Sequence, residues 1–94
     1  MKQEKNLFKK DLSNAEGSYT KCIGDNYELI TNLGNDARIG VNEYINRIKE
    51  IIKDAHDTPA KRNFLLSLNS QTNKYKAMTL VSNAYLRGIG LEVL

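Results

Sequence analysis

The chain has no tryptophan and, in 94 residues, only one proline, one histidine and one cysteine. Each scarcity closes a route. A lone cysteine, Cys22, cannot form a disulfide within the chain, so a disulfide-stapled secreted scaffold is excluded. Cys22 and His56 fall two short of the four nitrogen and sulfur ligands of a structural zinc site, so neither a metal nor a cofactor is expected. They are also the sole thiol and imidazole available for a nucleophile–base pair, and they lie in different segments. The simpler roles are a small buried apolar side chain for Cys22 and a helix-terminal imidazole for His56. The carboxylate pairs Asp25/Glu28 and Glu50/Asp54 read as surface charges of helices or turns, because no tryptophan provides a sugar-binding floor. Catalysis is not expected.

No apolar run approaches the roughly 18 residues of a spanning helix. The opening MKQEKNLFKKDL is basic but lacks the apolar stretch of a secretory signal. A cytoplasmic protein without membrane contact is expected. The abundance of Asn, Lys and Ile suits an AT-rich bacterial or phage genome, and for a phage protein the compartment is the host cytoplasm.

What is present is charge, and it is unevenly placed. The formal net charge is +3. Residues 1–10 hold four lysines against Glu4, residues 11–57 hold nine acids against five bases, and residues 58–91 hold five bases and no acid. An acidic middle between basic ends suits a polyanion, an acidic partner or a second copy of the chain. A solvated surface accounts for most of these charges without any partner.

The apolar pattern is helical. In residues 37–56, Val41, Ile45, Ile48, Ile52 and Ala55 recur at three and four, with Tyr44 and Ile51 widening the stripe. Gly40 weakens the first turn, which places the firm start of this helix near Asn42. Pro59 stops it and opens the next helix, 59–69, with Thr58 or Asp57 as cap and Ala60, Phe64, Leu65 and Leu68 on one face. The polar cluster at 69–73 ends that helix. A third follows over 73–87, with Ala77, Met78, Val81, Ala84 and Tyr85 on one side and more apolar surface than a single neighbour covers. Gly88 fits the position just past its end, with positive φ and Ile89 folding back. Gly90 then turns the chain.

The first third is less regular. Leu7, Phe8 and Leu12 suit a short helix or a basic arm within residues 1–12, and Ser13–Glu16 suits a capping box. Residues 18–31 read either as a helix or as a short β-hairpin around Gly24–Asp25–Asn26. The expected fold is mainly α, a small helical bundle in a single domain, with three C-terminal helices at about 37–56, 59–69 and 73–87.

Two functions fit this pattern, neither enzymatic. The first is an accessory protein that binds and modulates a protein partner and homodimerises, through Tyr75, Leu80, Tyr85, Leu86, Leu91, Val93 and Leu94. The alternative is a small basic nucleic-acid-binding regulator. Its helix-turn-helix-like pair at 59–87 would present Lys61, Arg62, Gln71, Asn73, Lys74, Lys76 and Arg87.

Overall fold

Residues 18–35 are helical, which decides between helix and hairpin. The structure, a computed structural model, describes residues 18–90. The expected N-terminal arm or helix, the capping box at Ser13–Glu16 and the tail residues Leu91, Val93 and Leu94 lie outside the described residues. Five helices make up 75% of the described part, which is a small helical bundle without strands. They are α1 (Ser18–Asp25), α2 (Tyr27–Asn35), α3 (Val41–Ile52), α4 (Pro59–Asn69) and α5 (Lys74–Gly88).

Asn26 alone separates α1 from α2, and its side-chain amide donates to the Cys22 carbonyl at 2.8 Å. Tyr19, Ile23 and Ile30 from this pair enter the core. The glycines that make the stretch poor helix material by propensity serve packing instead. A Cβ on Gly24 would stand 3.2 Å from Tyr85 Cε1, and one on Gly34 would stand 2.6 Å from Met78 Sδ. Side chains of α5 occupy the space that these two glycines leave. Tertiary packing has overridden local propensity.

The chain between α2 and α3 is clasped. Asp36 accepts from the Arg38 amide and from its guanidinium, with all three bonds between 2.9 and 3.0 Å. Those hydrogen bonds hold the Asp36 carboxyl down at about 2. The Lys74 ammonium reaches across to donate to the carbonyls of Asp36 and Ile39. Helix α3 starts at Val41, four residues after 37 and within one residue of the firm start expected near Asn42, and its cap is Gly40 in extended geometry. Tyr44, Ile45, Ile48 and Ile52 line its buried face, as the spacing predicts. Burial pushes the Tyr44 hydroxyl up to about 12.

Helix α3 also ends earlier than expected, at Ile52 instead of 56. Its open carbonyl end meets the ammonium of Lys61, which donates to Lys53 O at 3.3 Å and to Ala55 O at 2.8 Å. A cation there satisfies carbonyls that a helix cannot pair for itself. Helix α4 then begins as predicted, with Pro59 in its first turn and Thr58 Oγ1 accepting from the Lys61 amide. Asn73 caps α5, its Oδ1 accepting from the amides of Tyr75 and Lys76.

The far end of α5 corrects the expectation for Gly88. That residue is the last of the helix, and the positive φ belongs to Gly90, at 83°. Gly88 is needed for a different reason. A Cβ there would stand 2.7 Å from Thr20 Oγ1 and 2.8 Å from Thr20 Cβ, so α1 and α5 cross almost backbone to side chain. Helix α5 touches all four other helices and buries Ala77, Val81 and Ala84. Its broad apolar character therefore follows in large part from its central place. Among the described residues no helix is long and apolar enough to cross a membrane.

Candidate interaction surface

The residues of the helix-turn-helix expectation separate when placed on the fold. Lys61 is buried and Lys74 half-buried, each with its ammonium on two backbone carbonyls. Arg62 pairs with Asp57 at 2.9 Å. Gln71 donates to the Ser67 carbonyl at 3.1 Å, and Asn73 is the cap of α5. Lys76 and Arg87 remain, exposed and without an ion-pair partner among the described residues. They stand at opposite ends of α5, roughly 16 Å apart along its axis. Helices α4 and α5 thus present scattered cations, not a row of them.

The apolar candidates on α5 also divide. Tyr75 is the most exposed of them, at 71%. Tyr85 is half-buried and stacks on Tyr27 with ring centroids 4.5 Å apart, while the Tyr27 hydroxyl shares a hydrogen bond with Ser82 Oγ. Tyr85 therefore holds α2 against α5. Leu86 is half-buried. Leu80 lies in a groove of about 340 Å³ between α4 and α5.

That groove is built by helix periodicity. Ala60, Asn63, Phe64 and Ser67 form one wall, a single face of α4. Leu80 and Arg87, two turns apart, form the other on α5. Tyr19 closes the floor with Phe64, their rings 5.2 Å apart and tilted by 36°. Ala60 and Ser67 are small, so the two helices leave space between them. The groove brings together one residue expected for a protein partner, Leu80, and one expected for nucleic acid, Arg87.

A second hollow, of about 380 Å³, lies over the crossing of α1 and α5 and is lined by Thr20, Lys21, Gly24, Asp25, Tyr85, Gly88 and Ile89. Its rim charges pair with each other, Lys21 Nζ to Asp25 Oδ2 at 2.9 Å. Cys22 is half-buried against the core, and His56 is exposed with its amide donating to Ser18 Oγ. Among the described residues no three His, Cys, Asp or Glu side chains gather to hold a metal.

Of the residues that line the groove, sequence reasoning offers Leu80 and Arg87 as site residues and misses Tyr19, Ala60, Asn63, Phe64 and Ser67. Tyr19 lies in the stretch that reads as either helix or hairpin, so the sequence leaves its face undefined. Leu66, exposed at 69%, lies off the Ala60–Phe64–Leu68 stripe and outside the groove. No family model matches this chain, and no curated protein or solved structure shows significant similarity to it.

Proposed function

We propose that the chain is a non-enzymatic accessory protein that binds a protein partner through the groove between α4 and α5. The supporting observation is the groove itself: an aromatic floor of Tyr19 and Phe64, Leu80 on one wall, and small residues where larger ones would close it. Grooves between helices are a recurrent seat for partner helices. Nucleic-acid binding has less behind it, since Lys61 and Lys74 are spent on backbone carbonyls.

Affinity capture from nuclease-treated host extract tests the proposal when the wild-type chain and a Ser67→Trp variant are run side by side. One protein retained at near-stoichiometric amount by the wild type and lost from the variant is the expected result. Should a second copy be that partner, light scattering will read a dimer that Ser67→Trp returns to a monomer. Retention that disappears with nuclease, or that Ser67→Trp leaves unchanged, defeats the proposal.

A further inference from the structure

We draw no further inference here: the strongest candidate, the groove between α4 and α5, owes its aromatic lining to Tyr19 and Phe64 of the buried core, and nothing in the structure shows what covers it.

Discussion

The two sides of α5 are packed by opposite means. Toward α1 and α2, glycines let the chain come close: Gly24 receives Tyr85, Gly34 receives Met78, and Gly88 receives Thr20. Toward α4, Phe64 and Leu68 are buried, yet a groove stays open beside them. Both sides carry a hollow, but the two hollows have different causes. The one over the α1–α5 crossing follows from Gly24 and Gly88, which the crossing itself demands. No close contact demands a small residue at exposed Ser67, where a larger side chain has room. One hollow is a by-product of packing, and the other is a surface feature that packing does not require. That contrast is what directs the functional reading to α4.

Because α4 is less tightly packed, its position depends more on polar fastening. Lys61→Met keeps the apolar stem and removes the ammonium that holds Lys53 O and Ala55 O. Charge-assisted bonds to otherwise open carbonyls contribute about 1.5–3 kcal/mol. A loss of that size lowers the melting temperature of a domain this small by roughly 10 °C. A melt unchanged within about 2 °C would show that the connection between α3 and α4 holds without its cation.

The glycine side answers to a different change. Gly88→Ala places a Cβ 2.7 Å from Thr20 Oγ1 and 2.8 Å from Thr20 Cβ. Thr20 is buried and its Cβ is fixed to the α1 backbone, so the helices must part. Overpacking of this kind costs about 1–3 kcal/mol, less some gain in helix propensity. The expected net loss is about 1–2 kcal/mol by denaturant melt, smaller than that of Lys61→Met. An alanine that stabilises would mean that the crossing yields easily, and the distinction between the two sides would fall.

Much of the fold is legible in the sequence, and the reasons are specific. Helix α4 is read to the residue because Thr58 and Pro59 announce its start and Asn69–Ser70 its end. Helix α5 shifts by a single residue because Asn73 caps it instead of joining it. Helix α3 shrinks at both ends: Gly40 caps its start, and beyond Ile52 the ammonium of Lys61 takes the carbonyls of Lys53 and Ala55. Lys74, which reaches the carbonyls of Asp36 and Ile39 across 38 and 35 residues, is fastening that no local pattern reveals. It also explains why the basic run at 58–91 looks like a nucleic-acid surface on paper: a count of charges does not say which ones turn inward. Residues 18–31 defeat local reading because Gly24 is a liability for any isolated helix and an asset against Tyr85. The groove is only half legible, with Leu80 and Arg87 assigned to different functions until the fold places them together.

The smallest expected effect separates contact distance from rigidity. In Gly34→Ala the new Cβ would lie 2.6 Å from Met78 Sδ and 2.9 Å from Met78 Cγ and Cε, as close a clash as at Gly88. Its neighbour differs in kind. Met78 is half-buried and unbranched, with three rotatable bonds, so its thioether can swing aside where Thr20 cannot. Alanine near the end of α2 also recovers part of the roughly 1 kcal/mol that glycine costs a helix. The two terms nearly cancel, and the melting temperature should move by less than half the shift seen for Gly88→Ala. A larger drop would mean that Met78 is locked by its surroundings. The α2–α5 contact would then be as unyielding as the α1–α5 crossing, and rigidity on this side would belong to the whole face of α5 instead of to one glycine.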